Sequence, residues 1–188
     1  PLMIKYPDSK GAGKRVDALL SFIDLAPTVL EIADIKIPEH LQGNSFLNNS
    51  GLEREYLVST SDRFDEEVDR IRSIKTKKYK LIKNYYLDKS HALPIAYRQK
   101  MPMMQIMSKL YNENKLNKIQ SKWFDSPKKE IEFYDIENDP NELNDLSNEL
   151  KYQEIIFLML KKLDQWILQT NDLGEFPESK IIEKAEVD

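Results

Sequence analysis

Between Leu150 and Thr170 apolar residues fall at Tyr152, Ile155, Ile156, Met159, Leu163, Trp166 and Ile167, with Lys161, Lys162, Asp164 and Gln165 off that set. Steps of three and four place them on one stripe of an α-helix, and such a stripe has to be laid against another element. The chain supplies that element upstream. Glu55 to Thr60, Arg70 to Ile74, Tyr79 to Tyr85 and Glu132 to Ile136 are short runs of β type. The second and third are separated by Lys75-Thr76-Lys77-Lys78, a hairpin-length connection. Three or four antiparallel strands cannot stand alone, so the expected body is an antiparallel sheet covered on one face by the long helix. Gly174 and Pro177 close this region.

The first residues read differently. Leu2 to Tyr6 is a short apolar run closed by Pro7 and is expected as a strand; Asp8 to Arg15 is a Gly/Lys loop. Gly11-Ala12-Gly13-Lys14-Arg15 does not make a phosphate loop, because Asp8 and Arg15 stand where that motif needs Gly and Ser or Thr. In Asp24-Leu25-Ala26-Pro27-Thr28, Asp24 is placed to cap a helix whose first turn tolerates Pro27. Leu41-Gln42-Gly43-Asn44-Ser45-Phe46 is a loop of turn formers. A second helical stretch, Met103 to Trp123, carries a Met cluster (Met101, Met103, Met104, Met107) that reads as adaptable core packing. The residues after Glu178 read as a polar, fraying tail.

Composition narrows the chemistry. The 188 residues contain no Cys and two His. That excludes a disulfide scaffold, a Cys-based metal site, a cysteine nucleophile and a multi-histidine metal centre within this chain. With 28 basic against 32 acidic residues, a net charge of -4 argues against nucleic acid as the main partner. The longest apolar run, Ile155 to Leu160, is far below the roughly 20 residues of a membrane span. The chain starts without an initiator Met or a signal peptide and is expected to be cut at its N-terminus.

No complete active site is spelled out. Asp62, Asp65, Glu66, Glu67 and Asp69 lack the Gly and alternate-oxygen spacing of a calcium loop, and read as a solvated loop. Asp62-Arg63 stands where Ser-Thr-Ser-Asp-Arg is expected to leave the sheet; an Arg held there suits a carboxylate or sulfate oxyanion. The plain alternative is a surface ion pair. His40 and His91 lie in loops, without a Ser–Asp arrangement that would make a triad. Asn48-Asn49-Ser50 fits a glycosylation acceptor.

In order, these segments resemble the last third of sulfatases of the alkaline-phosphatase superfamily. Pro1-Leu2-Met3-Ile4-Lys5-Tyr6-Pro7, the run from Val16 through Asp24-Leu25-Ala26-Pro27-Thr28 to Ala33, and Leu41 to Leu47 match that family's "PLIIRWP", "VSLIDLAPTLLDLAG" and "QGRSLLP" segments. Tyr79-Lys80-Leu81-Ile82 and the run from Phe133 to Leu146 match its "YKLI" and "LYDLENDPxExxNL" strands. Ser61 to Glu66 through Arg72, with Lys100-Met101-Pro102-Met103-Met104, resembles the heparan N-sulfatase-like branch and related bacterial enzymes.

The resemblance implies an α/β protein in two parts. Residues 1–50 would be the terminal strand and helix of the catalytic domain, residues 51–174 an α+β C-terminal subdomain (antiparallel sheet and covering helix), and residues 175–188 a tail. It implies hydrolysis of sulfate esters or sulfamates by a formylglycine nucleophile with calcium, in a periplasmic or extracellular protein. No catalytic or metal residue carries over. A Ser-x-Pro-x-Arg motif is absent, since the residues two before each internal Pro are Lys5, Leu25, Lys36, Ala92, Lys100, Asp125, Asn138 and Glu175. The family's Asp-Asp pair, its "DHG" metal ligands and the Lys that follows them have no match either. The implied partners are the missing N-terminal catalytic portion and a sulfated carbohydrate, with Asp62, Arg63 and His91 as candidates for the pocket rim. Alone the chain would be inactive. The rival readings are a stand-alone binding module and a phosphonate or phosphate hydrolase on the same scaffold.

Overall fold

The computed structural model describes residues 2–47 and 54–185; the Asn48-Asn49-Ser50 pattern and the expected boundary at residue 50 lie outside them. The chain divides into two compact units, Pro1–Leu57 and Val58–Asp188.

In the first unit a 3-10 turn, Phe22–Asp24, runs into α1 (Leu25–Ile32). Pro27 falls in the first turn, where its missing N–H breaks no helical hydrogen bond, and it is buried together with Thr28. Asp24 is not the side-chain cap of α1 that its position suggests. Its carboxylate accepts the Ser21 N–H at 2.8 Å, the Asn44 N–H at 3.0 Å and two Arg54 N–H bonds at 2.6 and 2.8 Å. Burial would raise this carboxyl, but Arg54 and the two backbone N–H groups outweigh it and hold it below its ordinary value. Thr28 donates to the Asp24 carbonyl at 2.6 Å and accepts the Phe46 N–H at 3.2 Å, so the helix start and the 41–46 loop are stitched together. Gly43 is required there: a Cβ would stand 1.9 Å from the Ile23 carbonyl oxygen. Residues 2–6 form no strand; a strand exists only through its ladder, and no described strand runs beside them.

The second unit is a meander of β1 (Leu57–Phe64), β2 (Glu67–Lys75), β3 (Tyr79–Asn84) and β4 (Ile131–Asp135), in that spatial order. The antiparallel register pairs Ile74 with Leu81 and Leu81 with Phe133, so these three line one face and are fully buried. Helix α5 (Gln153–Gln169) covers that face with Ile156, Met159 and Leu163. Tyr152, just before it, is 5.5 Å from the Phe133 ring and 6.1 Å from that of Tyr79. Lys83 beside Leu81 reaches Asp164 of α5 at 3.6 Å.

Unlike the one-sided cover expected, the opposite face is also occupied, by the stretch from residue 85 to 130. That stretch holds α2 (Ala96–Gln99), α3 (Pro102–Asn112) and α4 (Lys118–Ser121) and buries Leu93 and Ile95. Lys128, also buried, reaches back to Asp69 of β2, so Asp69 belongs to the core, not to a solvated loop. The Met-rich α3 does not serve as core: none of its residues is buried. The outer edge of β4 is closed locally. Asp145 accepts the Phe133 N–H at 3.0 Å and Leu146 donates to the Phe133 carbonyl at 2.8 Å. Residues expected as tail form α6 (Glu178–Ala185).

Arg72 of β2 has a fully buried side chain in the α5-facing row, held from both sides. Its Nε and Nη2 donate to Asp172 at 2.6 and 2.8 Å, and its Nη1 and Nη2 donate to Asp62 of β1 at 2.6 and 3.1 Å. Burial opposes its charge, but the two carboxylates hold the guanidinium above its ordinary pKa. Gly174 leans directly on this group: a Cβ there would lie 1.9 Å from Arg72 Nη2 and 2.8 Å from Asp62 Oδ1. Gly174→Ala is therefore expected to open the clamp and cost about 3 kcal/mol, the scale for breaking a buried pair. Urea unfolding measures it, and an unchanged midpoint would show that the clamp does not hold the unit together.

Candidate functional site

Asp62 and Arg63 do not sit beyond a strand. β1 continues to Phe64, so both lie inside it, and neighbours along a strand point to opposite faces. Asp62 is committed to Arg72. Arg63 instead donates to the Asp65 carbonyl at 3.0 Å and pairs with Glu178 of α6. Asp65, with φ 50°, forms the turn into β2 with Glu66. The Glu66 carboxylate accepts the Ala96 N–H at 2.5 Å, a bond that lowers its pKa and ties this turn to the start of α2.

His91 lies on the other side of the sheet from α5, against Glu132 of β4. Its Nε2 is 3.4 Å from Glu132 Oε1, and its ring stacks on Trp123 with centroids 6.3 Å apart. Glu132 also accepts Asn84 Nδ2 at 2.8 Å and the Tyr134 hydroxyl at 2.5 Å. Burial would raise the Glu132 carboxyl; the bonds from His91, Tyr134 and Asn84 reverse this and hold it down at about 2. Burial and the Glu132 charge together push the Tyr134 phenol up. His40 is exposed in its loop.

So the three expected rim residues are not one cluster: Asp62, Arg63 and His91 share no hydrogen bond, ion pair or ring contact with one another. A line of contacts nonetheless runs from the β1–β2 turn to His91. The Arg98 guanidinium carbon is 5.3 Å from the Phe64 ring centroid and 5.4 Å from that of Trp123, whose ring stacks on His91. Each contact is within cation–π range, on the order of 0.5–1 kcal/mol. Arg98 went unmarked in the sequence. The available signal was the basic run Tyr97-Arg98-Gln99-Lys100, but the aromatic partners sit far from it in sequence. Among the described residues no three His, Asp or Glu side chains gather as a metal would require. No helix among them is long and apolar enough to cross a membrane.

The second unit is thus a four-stranded antiparallel meander with one long covering helix. The chain belongs to the family described as N-sulphoglucosamine sulphohydrolase, C-terminal, whose model matches residues 1–129. It is 40% identical over 185 residues to an ulvan-active sulfatase of Formosa agariphila, covering 98% of this chain and 31% of the relative. Among solved structures it is similar to a 2-O GAG sulfatase (TM-score 0.56, 20% identity, 86% of this chain and 28% of that one). It is also similar to a protein solved with its substrate D-glucosamine-2-N,6-O-disulfate (TM-score 0.51, 21% identity, 82% and 25%). At these identities the two structures establish the shared fold. The chain spans about a third of the length of the curated relatives it matches.

The Glu132 site has a measurable signature. Its carboxyl titrates below its unfolded value of 4.5, so between that pH and about 2 the unfolded chain binds more protons and stability rises with pH. Glu132→Gln keeps an oxygen for Asn84 but loses the charge facing His91. It should cost about 1–3 kcal/mol near neutral pH after allowance for solvent screening, with the difference closing as pH falls toward 2. Urea midpoints across that window test this; parallel curves for the two proteins would refute it.

Proposed function

We propose that this chain is the C-terminal portion of a sulfatase that hydrolyses sulfate esters or sulfamates of a sulfated carbohydrate. The observation that carries the reading is the 40% identity to an ulvan-active sulfatase along 98% of the chain. The reaction adds water across the S–O or S–N bond, releasing sulfate and leaving the hydroxyl or amine on the sugar. On this reading the nucleophile, a formylglycine, and its calcium ion belong to the rest of the whole protein. Among the described residues no three His, Asp or Glu side chains gather as a calcium ion would need.

The role left to the subdomain is to complete the pocket and recognise an anionic substrate, with Arg63 and His91 as its rim candidates. Asp62 supports the rim indirectly through Arg72. The first unit fits such an assignment: Met3 is 92% and Phe22 88% exposed, with Val29, Ile32 and Ile35 also open, an apolar surface suited to packing against the catalytic portion. A periplasmic or extracellular location accords with polysaccharide substrates.

The whole protein is expected to release sulfate from ulvan oligosaccharides or sulfated glucosamines, and the 188-residue chain alone to release none. Ion chromatography of free sulfate, run beside phosphate release from phosphate monoesters, is the measurement. Release of phosphate without sulfate would replace the reading with the phosphohydrolase one. Inertness of the whole protein toward both would favour a binding module.

A further inference from the structure

Three arginines are neutralised by carboxylates within the fold, and Arg70 lies over the Tyr85 ring at 3.9 Å with its Nε buried. Arg54 is bound by Asp24, Arg72 by Asp62 and Asp172, and Arg63 meets Glu178. Arg98 is different. It is half-buried and fixed: Nη1 donates to the Leu93 carbonyl at 2.8 Å, and the guanidinium lies against both Phe64 and Trp123. Its backbone is anchored as well, because Glu66 binds the Ala96 N–H at the start of α2. Yet it forms no ion pair with any described residue, and its Nε and Nη2 make no hydrogen bond to any of them.

Those two atoms form one edge of the guanidinium. On Arg72 the same edge holds Asp172 through two bonds, at 2.6 and 2.8 Å. An ordered, permanently charged group with a two-donor edge unused is matched to the paired oxygens of a sulfate or carboxylate. Its surroundings suit a sugar. Phe64 and Trp123 are half-exposed, and His91 adjoins Trp123.

We propose that Arg98, set against Phe64 and Trp123 with its Nε–Nη2 edge unbonded to any described residue, binds an anionic substituent of the carbohydrate, a sulfate or a uronate carboxylate. The proposal rests on the sulfated-carbohydrate reading above and adds the residue that recognises the polyanion. Arg98 is thereby a specificity-determining residue, and Phe64 and Trp123 are positioning residues for it.

The test uses the whole protein as wild type, Arg98→Gln and Arg98→Lys, with Lys109→Gln as a control for loss of an exposed charge. Substrates are a sulfated, uronate-containing oligosaccharide, the same oligosaccharide with its carboxyls reduced to alcohols, and 4-nitrophenyl sulfate. Arg98→Gln should raise KM for the oligosaccharide about 10–100-fold, the worth of a lost charge-assisted pair, with a far smaller rise for 4-nitrophenyl sulfate. Arg98→Lys should recover part of the loss, because it restores the charge without the fork. If the effect vanishes on the carboxyl-reduced oligosaccharide, the bound anion is the carboxylate; if it persists, the anion is a sulfate.

An unaltered KM for the oligosaccharide in Arg98→Gln overturns the proposal. So does an equal loss on 4-nitrophenyl sulfate, which would make Arg98 part of general pocket architecture. Should Arg98→Gln melt early, Arg98→Lys decides alone: a raised oligosaccharide KM supports the site and an unaltered one refutes it. Should wild type release no sulfate from any substrate, the sulfatase reading fails separately. Calorimetric titration with the oligosaccharide then decides on Arg98, with about tenfold weaker binding of Arg98→Gln supporting the site and equal binding overturning it.

Discussion

The buried guanidinium of Arg72 is the interaction on which the second unit depends. A charge with no exposure to water is tolerated only when its hydrogen bonds are filled, and here two carboxylates and the Ile71 carbonyl fill them. The two acids come from distant parts of the chain. Asp62 fixes β1 beside β2, and Asp172 fixes the segment that follows α5, so one side chain ties the edge strand and the end of the covering helix to the same point of the sheet. Two carboxylates against one cation leave a negative surplus, and Arg70, two residues away on the same face, contributes to holding Asp172 ionised. The consequence reaches the candidate site. With β1 fixed, the β1–β2 turn is fixed, and Phe64, Asp65 and Glu66 stand where Arg63, Arg98 and Ala96 can use them.

Much of this frame was legible because it follows local periodicity. The stripe from Tyr152 to Ile167 became α5, and the β-type runs at residues 70–74, 79–85 and 132–136 became β2, β3 and β4 within a residue or a few of their ends. The same rule misled where it was not applied. Asp62 and Arg63 are adjacent in sequence and suggest a pair, yet alternation along a strand sends adjacent side chains to opposite faces. Asp62 instead finds Arg72 ten positions on, a partner that periodicity alone does not name. Likewise the acidic density at residues 62–69 conceals two fates. Asp62 and Asp69 are structural anions, whereas Glu66 pins a helix start. Composition cannot separate these, because each is decided by what lies across the sheet.

Glu132 shows the same limit from the opposite side. A carboxylate inside a β run reads as the solvent face of an amphipathic strand. Here both faces of the sheet are covered, so Glu132 is mostly buried and must be satisfied by Asn84, Tyr134 and His91. The second cover comes from residues 85–130, which have weak periodicity, several short helices and Pro-interrupted loops. Its apolar anchors, Leu93 and Ile95, are too few to announce a layer in sequence. The Met-rich helix reads as core in the sequence but has no buried residue, while Lys128 and Asp69 pair in the interior.

The division among the basic side chains then follows from what each is asked to do. Where a cation must be buried to hold elements together, the chain supplies its anion, as Asp24 does for Arg54, Asp62 and Asp172 for Arg72, and Asp69 for Lys128. A group meant to bind an external anion must be held by forces that leave its donors free, and aromatic faces do this where a carboxylate would not. A carboxylate positions an arginine by consuming its hydrogen bonds and cancelling its charge. A ring positions it through dispersion and its quadrupole, and leaves both charge and N–H groups available. Arg70, over Tyr85, and Arg98, against Phe64 and Trp123, are both half-buried and held in the second way; the Arg70 Nε is buried, so of the two it is Arg98 whose support suits a recognition group.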